Sequence, residues 1–200
     1  DAQMDAVADI AEEYSFGEIR VTHEQNLVLA DVRNKDLLEV WRALDKHKLA
    51  TANIGSLNDM ICCPGSDFCS LANTTSIGIA KQINEHFDNY DELYDIGEVK
   101  LKMSGCMNAC GHHHVGHIGI LGVDKKGEEW YQLTLGGDAT NTATLGERLG
   151  PAIAKAEVSD AIARILDVYK DIRQNEESFI QTFRRVGVDP FKERVYAVAA

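Results

Sequence analysis

All five cysteines of this 200-residue chain fall in two short stretches, Cys62-Cys63-Pro64-Gly65-Ser66-Asp67-Phe68-Cys69 and Gly105-Cys106-Met107-Asn108-Ala109-Cys110. Taken as Cys63 with Cys69 and Cys106 with Cys110, they read C-x5-C followed by C-x3-C. A helix and a strand are expected between the pairs. Four thiolates converging from two loops suit a tetrahedral zinc ion or an iron–sulfur cluster, and buried inert thiols are the third reading. Structural zinc favours knuckles of closely spaced cysteines. The Cys63/Cys69 pair is wider than that, and neither pair is C-x2-C. A cube with four iron corners accepts wider loops, so spacing favours the cluster and leaves the other two open. Cys62 gives the first pair a second register, C-x6-C. Its simpler role is a small residue packed beside the ligand.

His112, His113, His114 and His117 follow Cys110 closely. They form a separate metal site, a turn packed near whatever the cysteines hold or, most simply, a turn whose histidines face solvent or bond to backbone. The glycines of the 116–122 segment do not match G-x-G-x-x-G and lie on an expected hairpin, which argues against a dinucleotide. No Walker A motif or nucleophile elbow is present. A net charge of −12 would repel nucleic acid or an anionic membrane. Five bunched cysteines are too few for a secreted disulfide scaffold. The sequence shows no signal peptide and no apolar run of membrane length, which makes the cytoplasm the expected location. It opens on Asp1 rather than Met and reads as the later part of a longer polypeptide.

The elements that must position these residues follow from periodicity. Helical spacing is expected over residues 5–14, then a hairpin from strands near 19–23 and 27–29. Asn34 is expected to cap a helix whose inner face is Leu37, Leu38, Trp41 and Leu44. After a connector over 51–60 and the first cysteine stretch, Cys69 or Ser70 is expected to cap a helix reaching Phe87. Its inner face would be Leu71, Ile77, Ala80, Ile83 and Phe87. An alternating, half-buried strand over 99–103 feeds the second cysteine stretch. A hairpin follows over 115–135, with its turn at 124–127. The 136–144 segment is loop, a helix starts at Glu157 or Ser159, and short helices near 179–185 and 191–196 finish the chain. Hairpins and helices without β-α-β rhythm indicate an α+β fold.

Cys63-Pro-Gly-x-x-x-Cys69 and the run from Ser104 to Gly111 resemble the two cluster loops of the sirohaem-dependent sulfite and nitrite reductases. Ile118-Gly119-Ile120-Leu121-Gly122, Leu135-Gly136-Gly137 and Glu177-Ser178-Phe179 come in the order that this family shows, so the resemblance covers nearly the whole chain. It implies a partial ferredoxin-like half-domain over residues 1–52, whose first strand lies upstream. An α+β domain over residues 53–200 would bind a [4Fe-4S] cluster and sirohaem. Carried onto matching positions, Cys63, Cys69, Cys106 and Cys110 would ligate the cluster. Cys110 would also be the proximal ligand of the sirohaem iron, the catalytic assignment, and Asn108 would hold the sirohaem edge. The run of three histidines is not accounted for by this resemblance.

The implied activity is six-electron reduction of sulfite to sulfide, with nitrite to ammonia as the alternative. A zinc-stabilised, non-catalytic binding module is the reading from another class. Implied partners are an N-terminal half of the same polypeptide, a flavoprotein or ferredoxin electron donor, and a small anion. In the family most of the basic residues facing the anion belong to the earlier half, so this chain alone is expected to be inactive.

Overall fold

A computed structural model describes residues 1–197, which divide into two compact units, 1–52 and 53–197. In the first, helix α1 (Ala2–Tyr14) leads to an antiparallel pair, β1 (Ile19–Val21) and β2 (Leu27–Leu29). A 3-10 turn (Asn34–Asp36) then continues into helix α2 (Leu37–Lys46). The hairpin loop closes on one side chain. Thr22 Oγ1 accepts from the Asn26 amide at 3.0 Å, while the Thr22 amide donates to the Asn26 carbonyl at 2.9 Å.

The core of this unit is small: Ala6, Ile10, Ala11, Ala30 and Val40. That corrects the expected inner face of α2. Leu37, Leu38 and Trp41 are about half exposed, and the inward side chain is Val40. The apolar residues of α2 do lie on one face, but α1 buries only two alanines and an isoleucine, too little to cover that face. Asn34 is not a cap either. It begins the 3-10 turn, which no side chain caps, and Arg33 pairs with Asp36 across it at 2.6 Å.

The second unit is built on a six-stranded mixed sheet in the order β3-β4-β5-β6-β7, with β8 also paired to β6. Strands β3 (Ile61–Cys62), β4 (Leu101–Ser104) and β5 (Ile118–Lys125) run parallel, and β6 (Glu128–Leu135) returns antiparallel to β5. The turn between β5 and β6 is only Lys126-Gly127. Both residues have positive φ (60° and 85°), the two-residue geometry that matches strand twist. Short strands β7 (Glu147–Arg148) and β8 (Ile153–Ala154) pair with β6 in a stretch for which no element was expected.

Helices α3 (Ile77–His86), α4 (Tyr90–Ile96), α5 (Val158–Ile172), α6 (Phe179–Val186) and α7 (Asp189–Val195) complete the unit, with α5 packed against α3, α6 and α7. The core joins Met103, Ile118, Ile120 and Leu133 of the sheet to Ile83 of α3, Ile162, Ile165 and Tyr169 of α5, and Phe179 and Phe191. Among the described residues no helix is long and apolar enough to cross a membrane.

Two expectations here need correction. No helix starts at Cys69 or Ser70. Residues 70–76 are irregular, α3 begins only at Ile77, and Leu71 and Ile77 are exposed while Ile79, Ile83 and Phe87 are buried. The reason is the Asn73-Thr74-Thr75-Ser76 run, whose backbone bonds go to other loops rather than to a helical ladder. The strand before the second cysteine stretch is not half-buried. All four residues of β4 are buried, because it lies between two parallel neighbours.

Candidate metal centre

The parallel pairing of β3 with β4 sets the two cysteine stretches side by side. Cys62 lies opposite Met103, and the Cys63 amide donates to the Met103 carbonyl at 3.0 Å. Each strand then runs into its loop. In the first, Gly65 turns the chain with φ +62°, and the Phe68 and Cys69 amides donate back to its carbonyl. Its own amide points at the Cys63 Sγ, 3.4 Å away. In the second, Ala109 and His112 adopt left-handed φ (56° and 52°). The Ala109 amide donates to the Cys106 carbonyl, and the Gly111 amide to Ser104 Oγ at 3.1 Å.

The loops touch backbone to backbone. A Cβ on Gly105 would lie 2.7 Å from the Gly65 Cα, so only glycine permits this approach. Residues 73–76 fasten the contact. The Asn73 and Thr74 amides donate to the Gly105 carbonyl at 3.0 and 3.1 Å, and the Ser66 amide donates to the Thr74 carbonyl at 2.8 Å. Asp67 reaches across its loop to accept from the Ser76 and Ile77 amides, capping α3 from nine residues upstream.

Cys63 and Cys106 are buried, Cys69 is partly exposed, and Cys110 is exposed together with Met107 and Asn108 of its loop. Phe68 and Leu71 are exposed from the first loop. None of the five cysteines is in a disulfide. Cys62 differs from its neighbour in its hydrogen bonding. Its Sγ donates to the Cys63 carbonyl at 3.3 Å, and burial, with Cys63 and Asp67 nearby, pushes its thiol up to about 12. Cys62 is thus held as a thiol, whereas Cys63 Sγ receives the Gly65 N–H.

The histidines do not converge. His113 is buried, stacks on His114 with ring centroids 4.0 Å apart, and leaves its Nδ1 without a hydrogen bond. Burial, then the neighbouring His114, lowers it to about 4, so it is neutral. His117 accepts from the Lys100 amide through Nδ1 at 3.2 Å and stacks on Phe179. His112 and His114 are exposed. Among the described residues no three His, Cys, Asp or Glu side chains gather tightly enough for one metal ion. That holds for the four cysteines as well. Four cysteines on two glycine-locked loops, none in a disulfide, are the donor chemistry that a cube with four iron corners uses.

The cysteine spacing alone did not disclose the residues that brace the loops, namely Asp67 and the 73–76 run. The visible signal was the Asn-Thr-Thr-Ser run, dense in side chains that compete with helical bonding.

Comparison with known proteins agrees with this architecture. The family model described as "Nitrite and sulphite reductase 4Fe-4S domain" matches residues 55–199, and the "Nitrite/Sulfite reductase ferredoxin-like half domain" matches residues 1–47. An assimilatory ferredoxin-dependent nitrite reductase of Haloferax mediterranei is 29% identical over 194 residues, 94% of this chain and 33% of that protein. An assimilatory-type sulfite reductase of Nitratidesulfovibrio vulgaris is 23% identical over 192 residues, 96% of this chain and 84% of that protein. The chain therefore spans about a third of one relative and most of the other. Among solved structures, the Mycobacterium tuberculosis NirA protein superposes with a TM-score of 0.80 at 25% identity, covering 95% of this chain and 36% of that one. Dissimilatory sulfite reductase I shares the fold, with a TM-score of 0.78 over all of this chain and 66% of its own. With both of its units matched in order, the chain belongs to the nitrite and sulphite reductase family, carrying its ferredoxin-like half domain followed by its 4Fe-4S domain.

Proposed function

We propose that this chain is the cluster-bearing part of a reductase that converts sulfite to sulfide. Cys63, Cys69, Cys106 and Cys110 would hold a [4Fe-4S] cluster, and Cys110 with Asn108 would hold sirohaem. The observation that carries this reading is the pair of cysteine loops locked at Gly65 and Gly105, with two buried thiols and one outward-facing thiol. When bound, the two groups supply one-electron transfer and an iron at which the anion is reduced. The residues of the chain do the rest. The Gly65 amide orients the Cys63 sulfur, and the left-handed turns at Ala109 and His112 fix the Cys110 loop. Exposed Cys110 and Asn108 remain accessible to a second group, while Cys62 stays a thiol outside the donor set. Zinc is the weaker reading, because the Cys63/Cys69 pair is wider than a zinc knuckle and the matching family model is that of a 4Fe-4S domain.

Sulfite is preferred to nitrite because a relative spanned over 84% of its length by this chain is named a sulfite reductase, although a relative named a nitrite reductase is higher in identity, 29% against 23%. A ferredoxin or a flavoprotein in the cytoplasm would supply the electrons; relatives are named ferredoxin-dependent or NAD(P)H-dependent. An N-terminal half of the same polypeptide would bring the basic residues that bind the anion, as the one-third coverage of the Haloferax relative supports. The 84% coverage of the shorter relative favours a second reading, a compact reductase that needs no such half. Turnover of sulfite and nitrite by the anaerobically loaded chain, driven by a reduced viologen dye, tests both. The first reading expects no turnover without the missing half, and sulfite preferred once it is restored. Sulfite turnover by the chain alone establishes the second, and nitrite preferred in either form overturns the substrate assignment.

A further inference from the structure

Strand β6 leaves the hairpin turn with Glu129 and Tyr131 one residue apart from each other on the same face, beyond anything the cysteine loops contain. The register of β8 on β6, with Trp130 opposite Ala154 and Tyr131 opposite Ile153, brings the next residue, Lys155, opposite Glu129. The two form an ion pair of 2.8 Å, the cross-strand charge pairing that stabilises sheet edges. Both are partly exposed, so the pair by itself contributes little. Its position is the informative feature.

The three residues close on a single neighbour, Thr75. The Thr75 amide donates to Glu129 Oε1 at 2.7 Å, and the Thr75 hydroxyl donates to Glu129 Oε2 at 2.9 Å. Tyr131 donates its phenol to the Thr75 carbonyl at 2.8 Å, and Lys155 Nζ donates to the Thr75 hydroxyl at 2.5 Å. Every polar group of Thr75 is therefore engaged from β6 or the turn after β8. Thr75 sits in the 73–76 segment, which is bonded to both cysteine loops. It bridges to Gly65, the adjacent Thr74 carbonyl takes the Ser66 amide, and Asn73 and Thr74 donate to Gly105.

We propose that Glu129, Tyr131 and Lys155 are positioning residues for the metal centre. By gripping Thr75 they fix residues 73–76, and so fix the separation between the loop carrying Cys63 and Cys69 and the loop carrying Cys106 and Cys110. The proposal rests on the reading that these loops hold a cluster, but it concerns the chain and is testable without one. A side chain that braces the sheet edge alone would change stability. A positioning residue changes the cysteines selectively.

The test uses the whole chain in two states. In the metal-free state, alkylation of Cys63 and Cys106 by iodoacetamide is followed by mass spectrometry in the wild type, Glu129→Ala, Glu129→Gln, Tyr131→Phe and the core control Ile165→Val. Glu129→Ala and Tyr131→Phe are expected to speed modification of both buried thiols by about tenfold, as local opening would, with Glu129→Gln between them and the wild type. Ile165→Val, at an equal loss of melting temperature, leaves both rates unchanged. Tyr131→Phe keeps the test decisive if Glu129→Ala does not fold. In the loaded state the same variants are expected to lose iron to a chelator faster and to show an altered electron paramagnetic resonance spectrum. Wild-type rates in both Glu129→Ala and Tyr131→Phe, or an equal rise in Ile165→Val, overturn the proposal. A wild-type chain that takes up no cluster while the alkylation pattern holds overturns the cluster reading and leaves the clamp standing.

Discussion

Gly105→Ala is the sharpest probe of how the site is assembled. The backbone at Gly105 has no positive φ, so an alanine there meets a steric problem only. Its Cβ would fall 2.7 Å from the Gly65 Cα and 3.0 Å from the Thr74 carbonyl oxygen. Both obstacles are backbone atoms, which cannot rotate away. Reaching ordinary contact, at least 3.4 Å, requires the loops to part by about 0.7 Å. That movement would stretch the bonds from Asn73 and Thr74 to the Gly105 carbonyl. Overpacking of this kind costs about 1–3 kcal/mol, and the rigid surroundings place Gly105→Ala toward the upper end. The assay is urea unfolding of the metal-free chain, with iron content after anaerobic reconstitution as the second readout. Gly78→Ala is the internal control. A Cβ on Gly78 meets nothing within 4 Å and Gly78 lies in α3, so that substitution is expected to stabilise by up to about 1 kcal/mol. Gly105→Ala within about 0.5 kcal/mol of wild type and fully loaded with iron would refute the claim that this contact sets the loops.

Two further outcomes are expected. Cys63→Ser loses the cluster and Cys62→Ser keeps it, read as iron and acid-labile sulfide per chain; the reverse would move the first ligand by one position. Stability should fall in acid. Hydrogen bonding from Arg185, then from the Gln174 amide, holds Glu177 at about 2, and Glu129 lies below the usual carboxylate range because its bonds to Lys155 and Thr75 outweigh its burial. Folded values below the unfolded ones mean that this stabilisation is complete above about pH 5 and is lost as the pH falls toward 2. Urea midpoints of Arg185→Gln should show a shallower loss across that window, and an unchanged slope would contradict the assignment.

The cysteine loops were legible in the sequence because their information is local: Cys-Pro-Gly and Gly-Cys-x-x-x-Cys state both the thiols and the turns. The long β5–β6 hairpin and α5 were legible for the same reason, since alternation and a helical apolar stripe repeat over many residues. Where the expectations failed, tertiary partners overrode a local pattern. Leu71 and Ile77 stand at helical spacing with Ile83 and Phe87, yet Gly105 and Asp67 claim the intervening backbone bonds and delay α3 to Ile77. The inner face of α2 was misread because apolar spacing shows which residues can be buried, while the number buried depends on what α1 offers. Strands β7 and β8 are two residues each, too short for any periodicity, and exist because β6 presents a free edge to them. Thr75, Glu129 and Lys155 were invisible, since nothing in a sequence joins residues 54 and 80 positions apart.

The most direct test of the central claim is the metal and sulfide content of the chain purified without oxygen. The four-cysteine cluster reading predicts about four iron atoms and about four acid-labile sulfides per chain, both abolished in Cys106→Ser. One zinc per chain with no labile sulfide would contradict it.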